Sequence, residues 1–182
     1  MGTNLSRVAP LALLAGAALV TTTAVSAADA RHADRPTLAV DSVLRDLQTA
    51  TTSPFDGARS RVRMTVGDDE TVVRLRLSGV ARSARGTEYG AHLHVGRCVT
   101  GDGAAAGPHY NVDVLAGAPS PEVSDRTEVW LDLEVRSDGT ARARARVPFE
   151  VQPGDRAVVI HAEATQPNGT AGPRLACLPV VW

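Results

Sequence analysis

Beyond residue 58 the chain alternates apolar with charged positions. Arg61-Val62-Arg63-Met64-Thr65-Val66 and Val72-Val73-Arg74-Leu75-Arg76-Leu77 put apolar side chains on one face and guanidinium groups mostly on the other, which is the period of a half-buried β-strand. Gly67-Asp68-Asp69 between them predicts a hairpin turn. The same grammar returns at residues 129–135 and 141–147, which flank Ser137-Asp138-Gly139 and predict a second antiparallel hairpin. Gln152-Pro153-Gly154-Asp155 reads as a turn into Arg156-Ala157-Val158-Val159-Ile160-His161, whose unbroken apolar run suits a strand in the middle of a core. Residues 28–57 are polar, with breaks at Pro36 and Pro54. Leu38, Val40, Val43, Leu44 and Leu47 fit no single period there, so this segment reads as a tether with a candidate first strand. No stretch forms a long amphipathic helix and no fixed repeat is present, so the pattern predicts an all-β sandwich or barrel over residues 58–182.

The N-terminus follows a different rule. Arg7 precedes an uncharged, Leu- and Ala-rich run over residues 8–28, and Val25-Ser26-Ala27 supplies the small residues of a signal-peptidase site. Residues 1–27 are therefore expected to be an export signal cut near Ala27 or Ala28, placing the mature protein outside the cytoplasm. A retained anchor is the competing reading, because the run borders on spanning length; Thr21 to Thr23 weaken it. No stable membrane span is expected once the signal is removed.

Composition narrows the chemistry. With 43% hydrophobic and 3% aromatic residues among 182, the chain can build one core, mainly from Val, Leu and Ala. All 19 basic residues are Arg, which removes lysine nucleophiles and Schiff bases from consideration. A net charge of -1 gives no reason to expect nucleic acid or an anionic membrane as partner. Nothing in the sequence fixes the oligomeric state. Cys98 and Cys177 are an even pair in an oxidising compartment, where pairing is commoner than two free thiols. A bond between them would close a loop of roughly 80 residues and stabilise the fold by about 4 kcal/mol.

Four of the five histidines can converge on a metal. In Ala91-His92-Leu93-His94 the two imidazoles project from one side of a strand. His109 follows a Gly- and Ala-rich loop, and His161 ends the apolar strand. Four imidazole nitrogens without a thiolate suit copper that cycles between two oxidation states, or zinc. Each histidine by itself is equally well explained by ordinary hydrogen bonding. His32 lies in the polar tether and is assigned nothing, and the sequon Asn168-Gly169-Thr170 is uninformative without a host.

Four motifs together resemble the copper/zinc superoxide dismutase family: Gly90-Ala91-His92-Leu93-His94, Ala106-Gly107-Pro108-His109-Tyr110-Asn111, Val158-Val159-Ile160-His161 and Gly172-Pro173-Arg174-Leu175-Ala176-Cys177. They stand in family order over roughly residues 59–182. The resemblance implies an immunoglobulin-like Greek-key β-barrel or sandwich of about seven or eight antiparallel strands, with a metal site on one side. It implies copper held by His92, His94, His109 and His161, a Cys98–Cys177 disulfide, and Arg174 beside the copper to attract superoxide. It also implies that His109 leaves reduced copper and delivers a proton, while superoxide is converted to oxygen and hydrogen peroxide.

The sequence departs from the family in two places. The family's zinc site needs further histidines downstream of the bridging one, yet no histidine lies between His109 and His161. The chain is thus similar to copper-only members, and zinc is not expected. The stretch from His161 to Cys177 is short, with Glu163 and Arg174 its only charges, so long-range guidance of the anion should be weak. Counting back from Asp138-Gly139, Glu128 falls next to the position of the family's zinc aspartate, and it is expected to hydrogen-bond His109 in place of zinc. Asp113 and Asp132 are rivals, and a solvated strand-edge carboxylate is the plain alternative. A non-catalytic extracytoplasmic copper-binding or storage protein is the alternative function. Soft ligands favoured for Cu(I) delivery are scarce, because only Met64 remains after signal removal.

Overall fold

Strict alternation produces the longest strands. In β3 (Arg59–Gly67) Val62, Met64 and Val66 are buried while Arg59, Arg61 and Arg63 face solvent, and in β4 (Glu70–Ser78) Val73, Leu75 and Leu77 are buried while Arg74 and Arg76 are exposed. The two pair antiparallel across the Asp68-Asp69 turn, as the pattern predicts. The computed structural model describes residues 1–2, 36–48 and 50–182, and every element named here belongs to the unit Asp34–Trp182. Apart from Met1 and Gly2, the expected export segment lies outside the described residues, as does His32.

Two antiparallel sheets enclose the core. The first has the order β1-β3-β4-β8, with β1 at Thr37–Val43 and β8 at Ala141–Val147. The second has the order β2-β10-β9-β6, formed by Arg45–Asp46, Arg174–Val181, Asp155–His161 and Ala91–His94. A small ribbon pairs β5 (Glu88–Tyr89) with β7 (Leu133–Glu134). β4 and β8 are neighbours, although the chain visits the second sheet between them, which is a Greek-key connection. Seven of the described strands have four or more residues. The all-β Greek-key expectation therefore holds. Among the described residues no helix is long and apolar enough to cross a membrane.

Residues 36–57 are more than a tether. β1 pairs with β3 over its whole length, and Leu44, Leu47 and Phe55 are buried. Their irregular spacing reflects a strand followed by a coiled connection, each obeying its own period.

The expected hairpin around Asp138-Gly139 does not form. The turn itself closes, with Arg136 N–H donating to the Thr140 carbonyl at 2.8 Å, but the flanking segments part. β8 joins β4 in the first sheet, whereas the segment before the turn runs beside β6, with Leu131 N–H donating to the Ala91 carbonyl at 2.6 Å. Beyond it, β7 pairs with β5. Alternation fixes which face of a segment is buried and leaves its neighbour open.

β9 explains its own unbroken apolar run. Val158 and Ile160 enter the main core with Leu178 and Val180, while Ala157 and Val159 face the opposite way, into a second cluster with Leu47, Cys98, Ala106 and Cys177. His161 shares that second face by alternation, and β6 likewise sends Ala91 and Leu93 into the core and His92 and His94 to the other side.

Candidate metal centre

The outer face of the second sheet carries three of the histidines, and a loop brings the fourth. His94 and His109 form an isolated antiparallel bridge, so the backbone itself draws the Gly-rich loop back over β6. His92, His94, His109 and His161 each offer a nitrogen within 4.8 Å of the others. All the sequence-expected ligands are thereby brought together, with His92, His94 and His161 buried and His109 partly open to solvent.

Hydrogen bonds on the outer sides of the rings decide which nitrogens face inward. His94 Nδ1 donates to the Gly107 carbonyl at 3.0 Å and His161 Nδ1 donates to the Gly172 carbonyl at 3.1 Å. Carbonyls only accept, so both protons lie on Nδ1 and both Nε2 atoms are bare. Those two Nε2 atoms stand 3.3 Å apart, lone pair toward lone pair. His92 is turned the other way round. Thr165 Oγ1 donates to Asp132 Oδ1 at 2.6 Å and so accepts from His92 Nε2 at 2.8 Å, leaving His92 Nδ1 buried without a hydrogen-bond partner. His109 Nδ1 donates to Glu128 Oε2 at 2.8 Å, which leaves its Nε2 free. Four lone pairs thus converge with no proton among them. Such a donor set is unfavourable alone and fits a cation that accepts nitrogen ligands.

Electrostatics favour the neutral rings. Burial is the largest cause and lowers His92 and His94 to about 2 and His161 to about 4, with the neighbouring imidazoles adding to it. For His94 and His161 the bonds to Gly107 and Gly172 are the next largest influence after burial and pull the other way.

Glu128 lies where the sequence reading puts it. Burial alone would raise its pKa, but hydrogen bonds from His109, Trp130 and Asn111 outweigh this and hold the carboxyl below its ordinary value. Trp130 Nε1 donates to Oε2 at 2.9 Å and Asn111 Nδ2 donates to Oε1 at 3.1 Å. The rival carboxylates are engaged elsewhere. Asp113 Oδ2 accepts from Glu122 N–H, and Asp132 serves His92 through Thr165. Thr165 and Trp130 went unrecognised as site residues in the sequence, and Asn111 stood in the His109 motif without being assigned this role. Gly90 admits Thr165, since a Cβ there would meet Thr165 Oγ1 at 2.8 Å and the Ala171 Cβ at 2.6 Å.

Arg174 faces the same cleft. It lines one depression together with His109, His161, Glu128 and Gly172. The pairing register of β10 with β9 shifts between Arg174 and Ala176, so Arg174 stands where the ladder is interrupted. Its guanidinium donates to the Gly103 carbonyl and, at 2.7 Å, to the Gly107 carbonyl that also receives His94. Gly107 has φ +67, a conformation most side chains resist, and its turn aims that oxygen inward. The loop is held by the Cys98–Cys177 disulfide, whose second half lies three residues beyond Arg174. Burial lowers the Arg174 pKa, but from so high a value that the charge persists.

Comparison with known proteins agrees with this picture. Residues 58–179 match the family described as Copper/zinc superoxide dismutase (SODC). Among solved structures, the chain is similar to that of the clock protein EA4, with a TM-score of 0.50 and 20% identity over 76% of this chain and 93% of that one, a likeness that concerns the fold alone. A search among curated proteins found no match. A sandwich with four inward-facing imidazoles on one outer face, matched over most of its length, places this chain in the copper/zinc superoxide dismutase family.

Proposed function

We propose that this is an exported superoxide dismutase that works with copper alone, held by His92, His94, His109 and His161. The observation that carries the reading is the set of four bare ring nitrogens, each with its proton fixed on the far side of the ring. A bound copper ion supplies one-electron exchange with superoxide, yielding oxygen in one half-reaction and hydrogen peroxide in the other. The chain's residues do the rest. Arg174 attracts the anion into the cleft and orients it beside His109 and His161. His109, the most exposed of the four rings, can take a proton from solvent on Nε2 while Nδ1 stays on Glu128. His92, His94 and His161 remain neutral and fixed.

Two features support copper without zinc. A second metal bridged by His109 would need Nδ1, which Glu128 already holds, and no other histidine lies between His109 and His161. The disulfide and the leader-like residues 1–27 support export. The test loads the mature protein with copper and zinc, counts both per chain, and follows superoxide decay in wild type and His109→Ala. One copper, no zinc and an activity lost in the variant are expected. Copper bound without dismutation would replace catalysis by storage, and equal copper and zinc would overturn the copper-only assignment.

A further inference from the structure

The outer face of the first sheet, on the side of the sandwich away from the histidines, holds an arrangement that the dismutase chemistry does not use. In register across β3, β4 and β8, Arg61 faces Arg76 and Arg76 faces Arg142; one rank along, Arg63 faces Arg74 and Arg74 faces Arg144. Asp41 pairs with Arg61 at one edge and Glu70 with Arg146 near the other. Arg63, Arg74, Arg76, Arg142 and Arg144 make no ion pair or side-chain hydrogen bond among the described residues. Like charges directly opposite one another weaken a sheet, and alternating Arg with Glu would have strengthened it. The net charge of -1 conceals this segregation.

The two ranks form banks. One shallow cleft is lined by Arg61, Arg63, Arg74 and Arg76 alone, and the next by Arg74, Arg76, Arg142 and Arg144 with Leu75 and Ala143 between them. The result is a trough running across the strands, its arginines borne on strands about 4.8 Å apart and its two banks rooted two residues, about 7 Å, apart along each strand. Guanidinium forks match tetrahedral oxyanions bidentately. A trough grips a single thread of charge along its length, whereas a flat bilayer would touch only the arginine tips. No aromatic side chain stands on the exposed positions of β1, β3, β4 or β8, so the face offers no aromatic platform for bases or sugar rings.

We propose that this trough binds a linear phosphate polymer that lacks rings. The test uses full mature protein and fluorescently labelled inorganic polyphosphate, with anisotropy read over a salt series. Five guanidinium contacts give a slope of log affinity against log salt of about −3.5. Arg74→Glu with Arg76→Glu turns both ranks into Arg-Glu-Arg. Affinity should fall at least tenfold while the melting temperature holds or rises and copper content is unchanged. Should that variant fail to fold, Arg63→Gln with Arg144→Gln should reduce the slope by about 1.4. Competing arms use a DNA oligonucleotide, a heparin fragment and vesicles of equal parts phosphatidylglycerol and phosphatidylcholine, all at matched charge. Tighter binding to any of these, a slope near zero, or unchanged affinity in the variants would overturn the proposal.

Discussion

Glu128 shows how a single carboxylate can take over a positioning task. It receives His109, Trp130 and Asn111 together, so the ring is fixed by a buried anion that is itself fully engaged. Glu128→Gln keeps the shape but removes the charge, and copper affinity measured by chelator competition should drop about 10- to 100-fold. Rescue by Glu128→Asp with restored affinity would argue for charge over reach. Thr165→Val should act on His92 in the same direction, because it removes the acceptor that keeps the ring proton on Nε2. Trp130 reports on both, since its ring centroid lies 6.0 Å from that of His92 and its fluorescence should be quenched as Cu(II) is added. The four histidines and Arg174 were legible in the sequence because their motifs are local. Thr165 was not, because it meets His92 across 73 residues and leaves no periodic trace, and Trp130 was read only as a strand residue, although it stands two residues from the Glu128 it bonds.

Among the elements, the strands announced themselves more readily than their partners, of which only the β3–β4 hairpin was foreseen correctly. β3, β4 and β9 follow from alternation and from an unbroken apolar run, but residues 129–135 show that a buried face is compatible with more than one neighbour. The irregular Leu and Val positions around residue 40 left the candidate first strand without bounds for a related reason: they span a strand, a break and a short second strand. The disulfide is an element-scale device. It joins β10 to the loop whose carbonyls hold Arg174, across a sequence separation of 79. Cys98→Ser with Cys177→Ser should cost about 4 kcal/mol in urea unfolding. It should also weaken anion attraction, seen as a shallower salt dependence of the superoxide rate.

For the whole molecule, the price of a preformed site is sensitivity to acid. His92, His94 and His161 titrate near 6.5 when unfolded but only at about 2, 2 and 4 when folded, chiefly through burial. Between pH 6.5 and about 4 the unfolded chain therefore binds more protons than the folded one, so stability is full above 6.5 and is lost as pH falls. Each ring contributes a slope of up to about 1.4 kcal/mol per pH unit. Urea midpoints of the metal-free protein should fall steadily from pH 7 to pH 5, and a flat profile would show that the rings take up protons at the same pH folded as unfolded.

The Gly107 carbonyl receives both the ring of His94 and the guanidinium of Arg174, and no side-chain exchange can divide it between them. Whoever retunes this protein's grip on anions will also tilt a ligand, and whoever retilts the ligand will loosen the grip.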